Sequence, residues 1–155
     1  MQQRNFSSDQ AGFTLIELLI TVTILAVIAS IALVGYRGYV ETTRINIAIN
    51  QLTEMSIAIS DYGLDNSGFP ASLAQIGLAN MLDPWGNPYQ YLNIMANPGN
   101  GMVRKDHNLV PLNTDYDLYS MGPDGNSVGP LTAKASRDDI IRANNGSYIG
   151  PAANY

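Results

Sequence analysis

The sequence predicts an α+β protein, a long N-terminal helix followed by a turn-rich domain of short strands, and three observations predict it. From Leu18 to Val34 runs LLITVTILAVIASIALV, 17 uncharged residues in which only Thr21, Thr23 and Ser30 are polar. Beyond Tyr36, apolar residues recur at Ile45, Ala48, Ile49, Leu52, Met55, Ile59 and Tyr62, while Thr43, Asn46, Asn50, Glu54 and Asp61 fall elsewhere on the helical wheel. From Gly63 onward lie 11 of the 14 glycines and all 8 prolines, the punctuation of a domain rich in turns.

Composition narrows the function. A chain of 155 residues suits one ordinary domain. With no cysteine and one histidine, disulfides, cysteine zinc sites, iron–sulfur clusters and cysteine nucleophiles are excluded, and histidine chemistry would have to use His107. Charged residues are only 14% and the net charge is −5, which argues against a nucleic-acid-binding surface.

The first element is the spine helix. No proline precedes residue 70, so one helix is predicted from about Phe13 to about Tyr62, roughly 75 Å long at 1.5 Å per residue. Its first half, to Tyr36, is long enough to cross a hydrocarbon core, and its second half, residues 37–62, is one-sided. A cleaved secretory signal would carry a shorter apolar run closed by a small-residue cleavage site, and no A-x-A site closes this one. Glu17 is the anomaly, because a carboxylate beside an apolar span calls for a partner or a function. In the first turn, it also faces the positive end of the helix dipole.

The soluble domain follows over residues 63–155. Gly63 is the expected helix C-cap, within YGLDNSGFP. A short helical segment is predicted over 72–80, and DPWGNPYQYL reads as a turn leading into a strand at Tyr89 to Ile94. Trp85 is expected to bury its ring with its N–H satisfied. A second strand, Tyr116 to Ser120, ends in the turn sequence MGPDG.

The string GFTLIELLI and the apolar run after it resemble the prepilin signal of the type IV pilin and pseudopilin superfamily. Together with YGLDNSGFP, DPWGNPYQYL and DLYSMGPDG, the chain looks similar to the major pseudopilins of the type II secretion system. The resemblance implies a small antiparallel sheet of three strands packed with long loops on the spine helix. It implies a leader, residues 1–12, removed by a prepilin peptidase between Gly12 and Phe13, with Phe13 then N-methylated. It also implies that Glu17 pairs with the amino terminus of a neighbouring subunit during assembly. A buried carboxylate and ammonium offset each other's desolvation only in the right register, so such a pair sets axial stagger. The leader departs from the family in carrying only Arg4 as a cation, and Val34 and Ala26 stand where many relatives have helix-loosening Pro and Gly.

In the resembled proteins the loop after the second strand binds a structural calcium. Carried over, the ligands are the Met121 backbone oxygen, Asp124, Asp138 and Asp139, hard oxygen donors of the kind calcium requires. The other reading is turn chemistry at Asp124 and helix capping by Asp138 or Asp139 ahead of Ile140. Residues 95–114 stand as an insertion and 143–155 as an Asn/Gly/Pro-rich tail, either surface decoration or contact segments. His107, in the insertion, is expected to be an exposed loop residue.

The function so implied is a structural subunit, not an enzyme. Its partners would be further copies of itself in a helical homopolymer, the prepilin peptidase, an inner-membrane assembly platform, minor pseudopilins, and membrane lipid before assembly; no nucleic acid is expected. It would sit in the bacterial inner membrane as a single-pass protein with its C-terminal domain in the periplasm, in a filament that drives export of folded periplasmic proteins. An external type IV pilus on the cell surface is the alternative. A membrane-tethered binding or enzymatic module is the reading from another class, but no Walker motif, G-x-S-x-G or metalloprotease pattern is present.

Overall fold

A computed structural model of the chain describes residues 12–97, 99 and 101–155. The leader expected at 1–12 therefore lies outside the described residues except for Gly12. The chain divides at Val40 into two units.

Helix α1 spans Leu15–Asn66, 52 residues. In the first unit its apolar residues from Leu15 to Leu33 are exposed, and an 18-residue window of mean hydropathy 2.7 is 0% buried. Length and composition suffice for a membrane crossing. Its few hydroxyls are satisfied within the helix: Thr21, Thr23 and Ser30 donate to the carbonyls of Leu18, Ile20 and Val27 at 2.9, 2.8 and 2.7 Å. Polar groups satisfied in this way are tolerated in an apolar medium.

In the second unit the predicted stripe forms the core. Ala48, Leu52, Met55 and Ile59 are buried with Leu73, Tyr89, Tyr116, Leu118 and Ile140, while Thr43, Asn46, Asn50, Glu54 and Asp61 are exposed. Leu52 is 0% exposed, and its replacement by Ala is expected to cost about 2–5 kcal/mol. A lowered denaturant midpoint at unchanged slope checks this.

The helix runs four residues beyond the expected end at Tyr62. Gly63 is not its cap; it lies inside α1 and makes room for Phe69, whose Cδ1 would stand 3.3 Å from a Cβ built there. The Asn66 side chain donates to the Tyr62 carbonyl at 2.9 Å, and Ser67 takes the left-handed conformation that ends the helix, φ 56°. The segment predicted over 72–80 is only a 3-10 turn, Leu73–Ile76, stopped by left-handed Gly77.

Four strands follow: β1 (Gln90–Asn93), β2 (Tyr116–Ser120), β3 (Ile140–Ala143) and β4 (Tyr148–Pro151). They pair antiparallel in chain order, with Gln90 opposite Tyr119, Ser120 opposite Ile140 and Ala143 opposite Tyr148. The three-stranded expectation falls one strand short, because the 143–155 tail, expected to be surface decoration or a contact segment, supplies β4. Pro151 is admissible there since β4 is an edge strand. No helix is capped ahead of Ile140: the β-branched pair begins β3, Ile140 facing the α1 cluster and Ile141 the opposite face.

That opposite face is also covered. Leu112, Leu131, Ile141, Ala143 and Ala152 form a second buried cluster, with Tyr119 and Tyr148 against it. Leu112 comes from the 95–114 insertion, which thus contributes a side chain to an outer layer on the sheet.

Candidate functional site

Phe13 and Thr14 precede the first turn of α1, and both are exposed. The Thr14 N–H and hydroxyl each donate to Glu17 Oε2 at 2.9 Å, while the Glu17 N–H donates to Thr14 Oγ1 at 3.3 Å. This reciprocal arrangement is a capping box, with Thr14 as the cap and Glu17 as its third-position acid. The signal is legible as T-x-x-E immediately before the apolar run, and the sequence reading passed over it. Within one chain, Glu17 therefore closes the start of the helix with an exposed carboxylate beside the expected new terminus at Phe13.

The second site is the loop from Met121 to Asp139. It is anchored from the DPWGNPYQYL block. Buried Asp83 accepts the N–H groups of Trp85 and Asn87 at 3.0 and 2.8 Å through Oδ1, and the Ser120 hydroxyl at 2.5 Å through Oδ2. The Asn87 amide donates to the Gly122 carbonyl at 2.8 Å. Trp85, half-buried, places its indole N–H 3.2 Å from Glu41 Oε1 on α1. Burial pushes the Tyr89 phenol upward, reinforced by the Asp83 charge, and the Tyr89 hydroxyl donates to Gln51 at 2.6 Å.

The three expected calcium carboxylates, Asp124, Asp138 and Asp139, do not group as a metal site. Asp124 is exposed, and its Oδ1 accepts the Asn126 N–H at 2.7 Å in a tight turn. Asp138 is half-buried and accepts the Asp124 N–H at 3.3 Å. Asp139 is fully buried. Burial, the largest influence, pushes its carboxyl upward against the Ser127 hydroxyl bond and the Arg104 charge, which favour the carboxylate. Among the described residues no three His, Cys, Asp or Glu side chains group so as to hold a metal ion. The residues as arranged do not form the six- to eight-oxygen cage that calcium takes.

What occupies Asp139 is Arg104, whose Nη2 lies 2.5 Å from Asp139 Oδ2 with both side chains almost fully buried. Sequence reading missed Arg104, since a lone arginine in an insertion 35 residues away gives no local signal of its partner. A second buried cation, Arg142 on β3, binds Asp115 through both nitrogens at 2.9 and 2.6 Å and stacks 3.9 Å over the Tyr116 ring. His107 is 75% exposed, its Nδ1 2.9 Å from Asp106, as expected of a loop histidine.

Comparison with known proteins places these features. The family described as the prokaryotic N-terminal methylation motif matches residues 7–33. The type II secretion system core protein G of Klebsiella pneumoniae is 30% identical over 138 residues, covering 84% of this chain and 92% of that protein. Its Pseudomonas aeruginosa counterpart of the same name is 29% identical over 152 residues, 83% of this chain and 92% of that protein. A fimbrial protein of Neisseria meningitidis is 26% identical over 150 residues, 94% of this chain and 86% of that protein. No solved structure matches significantly. The similarity to the Klebsiella protein covers most of both chains, and on it the chain belongs to the type II secretion system core protein G family.

Proposed function

We propose that the protein is the principal structural subunit of a type II secretion pseudopilus, held in the bacterial inner membrane before assembly with its sheet domain in the periplasm. The observation that carries this reading is the first unit: an apolar helical stretch, exposed along its length, with one carboxylate at its start. Such a stretch has no stable place in water. It is satisfied by lipid before assembly and by the same stretch of other copies afterwards, which makes extraction and stacking chemically coherent. On this reading the peptidase cuts between Gly12 and Phe13, Phe13 is N-methylated, and Glu17 meets the amino terminus of a neighbour. The further partners are an inner-membrane assembly platform and minor pseudopilins. The role is structural, and the filament moves folded periplasmic proteins outward.

Deleting the protein in its native host is expected to leave secreted proteins in the periplasm, with export restored by the full-length chain. Mass spectrometry of the restored protein should find an N-terminal peptide beginning at methylated Phe13. A mature chain still beginning at Met1 overturns the processing. Unchanged export with loss of surface fibres would favour an external pilus instead, the reading that the similarity to the Neisseria fimbrial protein supports.

A further inference from the structure

The insertion at 95–114, read in sequence as surface decoration or a contact segment, delivers the most buried cation among the described residues of the sheet domain. Arg104 is 2% exposed. Its guanidinium binds Asp139 Oδ2 at 2.5 Å, the Val128 carbonyl at 2.9 Å and the Ser127 hydroxyl, and lies 4.2 Å over the Tyr119 ring. Ser127 itself donates to the same Asp139 oxygen at 2.6 Å. One charged group thus ties three points of the loop between Gly125 and Asp139.

The backbone around Arg104 is tied just as closely. The Arg104 N–H donates to buried Asp117 on β2 at 2.7 Å, and its carbonyl accepts from Leu112 at 2.7 Å. Next to it, the Lys105 N–H donates to the Gly129 carbonyl at 3.0 Å and the Lys105 carbonyl accepts from Leu131 at 2.9 Å. The insertion is therefore hydrogen-bonded to the loop on one side and to the sheet on the other.

We propose that the Arg104 guanidinium is the resident cation of the Met121–Asp139 loop, the loop in which the resemblance implies a calcium, and that the 95–114 segment is the strap that delivers it. A full positive charge already in contact with Asp139 repels a divalent ion from the same carboxylate and supplies the neutralisation such an ion would provide. Within this ion pair, Arg104 Nε and Asp139 Oδ1 are buried without a partner among the described residues. Neither bonds the other, so the ion pair is made through Nη2 and Oδ2. Asp139 itself has one oxygen left, against the roughly six to eight oxygens that calcium takes. The consequence is a sheet domain whose loop is closed by its own chain and is indifferent to calcium.

The test uses the full chain purified in detergent and stripped of metal, melted with chelator and with millimolar calcium. Wild type is expected to melt at the same temperature in both, and equilibrium dialysis against calcium should find no stoichiometric binding. A chelator-induced drop of about 10 °C, the size of a saturated structural site, or one calcium per chain, overturns the proposal. Arg104→Met should lower the melting temperature by about 10 °C or more, by stranding a buried carboxylate. Arg104→Met with Asp139→Leu should recover much of that loss. A double variant no more stable than the single one means that Arg104 acts by packing alone, and also overturns the proposal. Should Arg104→Met fail to fold, the calcium indifference of wild type decides by itself. None of these readouts depends on filament assembly.

Discussion

Glu17→Ala is expected to leave the protein in the membrane fraction and abolish filament assembly. Insertion depends on the uncharged run from Leu18 to Val34, which the substitution does not touch. The local loss is the capping box with Thr14, worth about 0.5–2 kcal/mol, too little to undo an apolar helix that lipid or neighbours hold. Assembly is a different matter if the carboxylate must meet an ammonium on the next subunit: with one partner gone, the other enters an apolar bundle as an uncompensated charge, at about 3–5 kcal/mol per contact. Repeated at every subunit, that stops a polymer. Glu17→Gln separates the two roles, because glutamine also serves at the third position of a capping box but carries no charge. Filament yield after detergent extraction should be lost in both variants. Normal filaments from Glu17→Gln would show that the cap is the whole role of this residue.

Gly122→Ala is expected to destabilise the sheet domain by about 2–5 kcal/mol, from left-handed strain and overpacking together. Gly122 has φ +64°, and a Cβ there would stand 2.3 Å from the Asp138 carbonyl oxygen, a backbone atom that cannot swing aside. The loop would have to separate its two ends, just where the Gly122 carbonyl accepts from Asn87 and Asp139 meets Arg104. Chemical denaturation of the full chain in detergent should show the drop. Gly77→Ala is the control: its φ is +73°, but nothing lies within 4 Å of a Cβ there, so it carries the conformational cost of about 1–2 kcal/mol alone. Equal losses at the two positions would mean that the approach at Asp138 relaxes freely.

Local pattern carried the reading of α1 and β2. The three- and four-residue spacing from Ala48 to Ile59 fixed the buried face of the helix, and Tyr116 to Ser120 is a strand as read. Pattern failed where long-range partners decide. Ile140 to Ala143 is too short and too uniformly buried to alternate, with Arg142 buried among apolar neighbours because Asp115 neutralises it. The Tyr148–Pro151 strand is hidden by its own Gly and Pro, and it exists only because β3 offers an edge. Gly63 reads as a stop, yet its missing side chain serves Phe69 within a continuing helix. At the sites, T-x-x-E was legible and Arg104 was not, since its meaning comes from Asp139 far along the chain.

The chain has one tryptophan, and its indole N–H reaches across to Glu41 at the start of the second unit. Trp85 is thus a built-in fluorophore in contact with the first residue of the second unit. Its emission reports the seating of the turn from Asp83 to Asn87 on the helix, with no label to disturb the filament. In the filament proposed above, a neighbouring copy packed near Trp85 would change the colour or quench the emission, which makes this residue a label-free probe of the proposed assembly.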